Sequence, residues 1–94
     1  MIVGYRDKRT SDFAAGERVN AFFGIDRAAR LKLDRLESAT SISDLAALPG
    51  NRFESLGGDW KGQFSIRIND RWRVCFEWMD GATGPSNVEI VDYH

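Results

Sequence analysis

Three side chains of different acid–base character stand in a row at positions 92–94: the carboxylate of Asp92, the phenol of Tyr93 and the imidazole of His94, the only histidine in the chain. An imidazole titrates near neutrality and serves as general acid or general base without much tuning. A phenol stacks on a base or donates a hydrogen bond, and a carboxylate orients its neighbours. Chain ends also collect unconstrained residues, so the functional reading of this triplet depends on what lies upstream. Other constellations are poorer. Cys75 and His94 lack the third group and the oxyanion nest that a nucleophile–base pair needs. One histidine and one cysteine do not make a metal site. Gly57-Gly58 lacks the Lys-Ser/Thr and the following helix of a phosphate-binding loop.

The upstream segment reads as strands. Phe64, Ile66 and Ile68 alternate with Gln63, Ser65 and Arg67, and Trp72, Val74, Phe76 and Trp78 alternate with Arg71, Arg73, Cys75 and Glu77. This is the period of half-buried antiparallel strands. A two-residue turn at Asn69-Asp70 would put Ile66 opposite Arg73 on one face, which the apolar pattern rejects. A three-residue loop, Asn69 to Arg71, pairs Ile68 with Trp72, Ile66 with Val74 and Phe64 with Phe76. That register makes the core face wholly apolar. It also sets Arg67 opposite Arg73 on the other face, beside Ser65 and Cys75. Directly opposed like charges cost stability, which leaves two explanations. Either acids such as Glu77 or Glu89 neutralise the pair, or the pair holds an anion.

The elements that must carry these residues are few. Ile2 to Tyr5 reads as a short strand and Asp7 to Ala15 as a short helix that stops near Gly16 with Phe13 inward. Asp26 to Ser38 is the clearest helix. Asp26 is placed to cap it, Ala29, Leu33 and Leu36 form its apolar stripe, and Arg30 and Asp34 stand at the i, i+4 pairing distance. Its charged faces are read as solvated or as flanking an RNA groove. Ser43 is expected to cap a further turn ending at Leu48-Pro49-Gly50. A Gly/Pro-rich loop, Gly81 to Ser86, precedes a last strand, Asn87 to Tyr93. Strand, helices, then three or four strands imply an α+β domain with helices on one face of an antiparallel sheet.

Ninety-four residues make one domain, residues 1–94, and 43% apolar content with eleven aromatics is enough to build a core. No run approaches the length of a membrane span. The absence of a signal-like apolar segment near Met1, and a single cysteine, lead to the expectation of a cytoplasmic protein. The formal charge of −1 argues against broad affinity for nucleic acid. Its distribution is uneven: residues 1–35 hold eight Lys/Arg against five Asp/Glu, residues 36–73 five of each, and residues 74–94 four acids and no Lys or Arg. Any phosphate site must therefore be local and built from a few arginines.

The run from Leu48 to Asp59 (LPGNRFESLGGD), the hairpin from Gly62 to Phe76 (GQFSIRINDRWRVCF) and the ending Val88 to His94 (VEIVDYH) resemble the HigB toxins, the plasmid maintenance killer branch of the RelE/ParE superfamily. Ile2 to Lys8 fits that family's first strand and helix, so the resemblance covers essentially the whole chain. It implies a RelE-like, microbial RNase-type fold with helices on one face of a small twisted antiparallel sheet and the active surface on the open face. It also implies the toxin of a type II toxin–antitoxin pair that cuts mRNA in the decoding site of the translating ribosome, without metal or other cofactor. The partner implied is HigA, a helix-turn-helix antitoxin through which alone the pair would contact operator DNA. Carried over residue by residue, the catalytic positions are Arg73, Asp92, Tyr93 and His94, with Lys61 and Arg67 binding substrate. Asp92 and a terminal carboxylate would favour protonated His94, which suits a general acid or a phosphate-stabilising cation.

The chain departs from the family's pattern in places. Gly57 and Trp60 stand where relatives often carry basic residues, and Glu54 or Ser55 where some carry a second histidine. The general base is therefore unassigned. Glu54 is either that base or a solvated carboxylate, and Trp60 either stacks on a base or touches the antitoxin. Two rival functions follow: a ParE-like gyrase inhibitor that cuts nothing, and a weakened toxin that serves mainly as co-repressor with its antitoxin.

Overall fold

The computed structural model describes residues 1–57 and 62–92. Helices α1 (Lys8–Ala14), α2 (Asp26–Ser38) and α3 (Ile42–Ala46) precede strands β1 (Glu54–Ser55), β2 (Gln63–Arg67), β3 (Trp72–Glu77) and β4 (Ser86–Asp92), with single 3₁₀ turns at Asn20–Phe22 and Pro49–Asn51. The strands form one antiparallel sheet in the order β1-β2-β3-β4. The α+β class expected from the sequence, helices with one antiparallel sheet, is the one observed.

The central hairpin has the expected register. Phe64 pairs with Phe76, Ile66 with Val74 and Arg67 with Arg73, and the Ile68 N–H donates to the Trp72 carbonyl at 2.9 Å. Asn69 explains the three-residue loop, because its side-chain oxygen accepts from the N–H groups of Arg71 at 2.9 Å and Trp72 at 2.8 Å. Such a local bond satisfies the turn's donors and holds its length. The alternation then drives Ile66, Val74 and Ile90, neighbours across three strands, into full burial. Ala29, Leu33 and Leu36 of α2 join them in the same core with Phe13, Phe22, Leu45, Phe76 and Val88.

The outer edge of β4 is covered by the start of the chain. Val88 exchanges backbone bonds with Gly4 and Arg6, and the Ile90 N–H donates to the buried Thr10 hydroxyl at 3.1 Å. A covered edge cannot template further strand pairing. This cover is not the strand expected over Ile2 to Tyr5: it makes one parallel bridge, Tyr5 to Val88. Between β3 and β4 the register shifts, with Cys75 opposite Glu89 and Glu77 opposite Ser86. Asn87 takes up the extra residue with a φ of 49° and donates from its side chain to Glu77. This is the geometry of a bulge.

Three local expectations are corrected. Ile25 caps α2 and Asp26 is its first helical residue, so the Asp26 side chain makes no capping bond; its charge still suits the helix's first turn. Ser41, not Ser43, caps α3, accepting from the Asp44 N–H. The Asp44 carboxylate returns to the Thr40 N–H and hydroxyl, both at 2.8 Å, and those bonds hold its pKa below the ordinary value. Arg30 is not bonded to Asp34. It lies over the Phe13 ring at 4.3 Å and donates to the Phe13 and Ala14 carbonyls, fastening the end of α1 to α2. Two helix-end carbonyls and a ring face together outcompete one exposed carboxylate for that guanidinium.

Candidate active site

The sheet face turned away from the helices carries the residues of interest in rows. Glu54, Ser65, Cys75 and Glu89 pair successively across the four strands, and Arg67, Arg73 and Val91 pair in the next row. The face is therefore polar, yet parts of it are not open, since Ser65 and Cys75 are both buried. The arginine above Ser65 accounts for much of this. The Arg73 side chain is only 12% exposed, its Nε donates to Ser65 Oγ at 2.8 Å, and one terminal nitrogen donates to the Arg52 carbonyl at 2.6 Å.

The acids proposed to neutralise the opposed arginines are engaged elsewhere. Glu77 and Glu89 each approach Arg6 at 3.6 Å, drawn there because Arg6 follows the Tyr5 bridge beside β4. Arg67 is hydrogen-bonded instead to Asp70 in the hairpin loop. Arg73 lies 4.0 Å from Glu54, whose side chain is 53% exposed. At that exposure and distance the attraction is weak. Glu54 thus sits beside Arg73 and is at the same time exposed to solvent.

Of the residues expected to do chemistry, Arg67 and Arg73 are adjacent cross-strand partners. Asp92 ends β4 in register with Trp72, one residue beyond the partner of Arg73, and its Oδ2 accepts from Arg71 Nε at 2.8 Å and lies 2.7 Å from a terminal Arg71 nitrogen. This forked contact raises the Arg71 pKa, the hydrogen bond contributing more than the charge. Lys61, Tyr93 and His94 lie outside the described residues, as does Trp60. Sequence reasoning missed Arg52, whose part in the site is played by its backbone. It also placed Ser65 beside Arg73 without foreseeing their bond. Among the described residues no three His, Cys, Asp or Glu side chains group as a metal site would require. A cleft of about 590 Å³ opens on the helical side, between Phe13, Val19, Phe22, Phe23 and Arg27, and contains none of the expected site residues.

Cys75 is not a nucleophile here. Burial pushes its thiol up to about 11, Glu89 adds to the shift, and Arg73 and Arg6 offset part of it. Reaction requires the thiolate, so a maleimide at pH 7 is expected to leave the folded chain unmodified and to label it after unfolding. The same shift has a sign for stability. A thiol of ordinary pKa 9.0 that keeps its proton to about 11 in the fold costs nothing below pH 9 and destabilises the fold as pH rises between those values. Rapid labelling of the native protein at pH 7 would contradict this assignment.

An antiparallel sheet with helices on one face and paired arginines on the other is the α+β arrangement of the RelE-like fold. The YoeB/ParE toxin from Agrobacterium tumefaciens superposes with a TM-score of 0.54 over 99% of this chain and 97% of that one, at 19% identity, a likeness of fold. Residues 10–94 match the family described as RelE-like toxin of type II toxin–antitoxin system HigB. The curated Toxin HigB-1 of Vibrio cholerae serotype O1 is 39% identical over 84 residues, covering 87% of this chain and 88% of that protein. The chain belongs to the HigB-like toxins of type II toxin–antitoxin systems, a class whose members are paired with an antitoxin. Among the described residues no helix is long and apolar enough to cross a membrane.

Proposed function

We propose that this toxin is a metal-free, ribosome-dependent mRNA endonuclease of the cytoplasm, neutralised by a HigA-like helix-turn-helix antitoxin. The supporting observation is the opposed pair Arg67 and Arg73, with the Arg73 guanidinium anchored by Ser65 and the Arg52 carbonyl. Two cations forced together across a hairpin destabilise it, and a phosphate between them would reverse the sign of that interaction. A guanidinium also matches two phosphate oxygens at once. The pair lies within one local patch, as the charge distribution requires.

In the proposed reaction the substrate's own 2′-hydroxyl attacks the adjacent phosphate. The O2′–P bond forms, the P–O5′ bond breaks, and the products are a 2′,3′-cyclic phosphate and a 5′-hydroxyl. DNA, lacking the 2′-hydroxyl, is excluded. Arg73 neutralises the charge that develops on the phosphate, and Arg67 and Lys61 hold the flanking backbone. His94 protonates the departing 5′-oxygen. Asp92 orients the segment it ends, and Tyr93 stacks on a splayed base. For the general base, which the resemblance leaves unassigned, the candidate is Glu54, whose carboxylate lies 4.0 Å from Arg73. Contact with operator DNA belongs to the antitoxin.

Primer extension on a reporter mRNA in a reconstituted translation system tests this reading. Wild-type toxin is expected to give cuts only where ribosomes translate, and removal of His94 to slow them about a hundredfold, the typical share of a general acid. Absence of cuts from the wild type, while its induction in cells still stops growth, would overturn the nuclease reading. A gyrase supercoiling assay would then test the ParE-like alternative.

A further inference from the structure

We infer that Ser65 is a positioning residue for Arg73, acting with the backbone carbonyl of Arg52 to fix the plane in which the guanidinium meets the phosphate; the inference rests on the nuclease reading above. Ser65 is fully buried in the middle of β2, where a β-branched or aromatic residue would pack better. A buried hydroxyl needs a partner, and the bond in which Ser65 Oγ takes part is the 2.8 Å contact from Arg73 Nε. The buried polar side chains Thr10 and Asn51 serve the fold instead, one bonding β4 and the other α3 and Lys32.

The second anchor is built with more effort. Arg52 has a φ of 43°, in the left-handed region that residues with a Cβ seldom occupy. It follows the Pro49–Asn51 turn, which is pinned from below: Asn51 donates to the Leu45 carbonyl at 3.1 Å, and Lys32 of α2 donates to Asn51 Oδ1 at 2.8 Å and to the Gly50 carbonyl at 3.2 Å. The left-handed turn then offers the Arg52 carbonyl to the terminal nitrogen of Arg73 at 2.6 Å. One bond on Nε and one on a terminal nitrogen fix both the position and the plane of the fork. An arginine held this way loses little freedom on meeting a phosphate, and orientation of that kind is a direct source of rate.

Single-turnover cleavage on programmed ribosomes, with Ser65→Ala, Ser65→Thr and Arg73→Lys alone and combined, tests the inference. Ser65→Ala is expected to lower the cleavage rate about tenfold at saturating ribosomes, the worth of one hydrogen bond to a charged group, with ribosome affinity little changed and Tm lowered by several degrees, the assay being run well below it. Ser65→Thr keeps the hydroxyl and is expected to restore most of the rate. Lysine has no Nε–H at that place, so Ser65→Ala should cost nothing further in the Arg73→Lys background. An equal cost in both backgrounds would overturn the inference. A second readout needs no substrate: the Arg73 Nε–H resonance of the free toxin should exchange slowly in the wild type and quickly in Ser65→Ala. Unchanged exchange, or faster exchange with undiminished cleavage, overturns the inference and leaves the nuclease reading standing. A wild type that cuts nothing brings down both.

Discussion

Arg73→Ala is expected to slow ribosome-dependent cleavage by about a thousandfold, the upper range for removing a group that stabilises developing charge, while the protein stays folded. The second half of that statement needs its own argument, because the guanidinium is nearly covered and holds two anchors. Losing a bond to a charged group costs about 1.5–3 kcal/mol. Against this, Arg67 is relieved of the cation facing it, worth up to about 1 kcal/mol. With both of those bonds lost, the net loss is about 2–5 kcal/mol, a fall of roughly 10 °C or more in Tm for a domain of this length but within the stability of an ordinary domain, so cleavage is compared at a temperature where the variant is folded. Arg73→Lys separates charge from geometry. It keeps the cation and loses the fork, and is expected to recover about a tenfold portion of the rate. Cleavage by Arg73→Ala at the wild-type rate, in a preparation shown to be free of host ribonuclease, would remove Arg73 from the reaction.

Why this arginine was legible in the sequence, and its supports were not, has a physical basis. A hairpin whose two strands alternate apolar and polar residues has one register that buries a continuous apolar face, so Arg67 and Arg73 had to be neighbours. The helix Asp26–Ser38 was legible for the same reason, its stripe of Ala29, Leu33 and Leu36 having a single periodic reading. Where several weak interactions compete, the sequence is nearly silent. Ser41 and Ser43 are both good caps, and the choice rests on where Asp44 can return to Thr40. Arg30 could pair with Asp34 along its own helix, and the end of α1, distant in sequence, took it instead. Glu77 and Glu89 follow the strand arginines in sequence, yet Arg6, some seventy residues upstream of Glu77, reached them first, and Arg67 took Asp70 of the hairpin loop. The left-handed Arg52 leaves no trace at all, because neither glycine nor asparagine marks the position.

The same logic of distant partners sets the most damaging core substitution. Phe22→Ala is expected to destabilise the domain by about 3–5 kcal/mol, the range for deleting a large buried aromatic, and to lower Tm by roughly 15 °C or more at about 4–8 °C per kcal/mol for a domain of this size. Phe22 belongs to a single 3₁₀ turn, which has almost no stability of its own. Its ring nevertheless meets Phe13 of α1 edge-on at 5.4 Å and Trp72 of β3 edge-on at 5.9 Å, and Arg9 of α1 lies over it at 5.2 Å. One side chain therefore ties α1 and the turn to the start of the strand that carries Arg73. Neighbours drawn from separate elements cannot collapse into the gap together, which places the cost toward the upper end of its range. Thermal unfolding followed by near-ultraviolet circular dichroism would check the value. A Tm within a few degrees of the wild type would mean that the α1–β3 junction is held by its remaining contacts. The expected large fall would also make cleavage by Phe22→Ala temperature-sensitive, with near-normal rates when cold and loss on warming, whereas the defect of Arg73→Ala should persist at every temperature at which the toxin is folded.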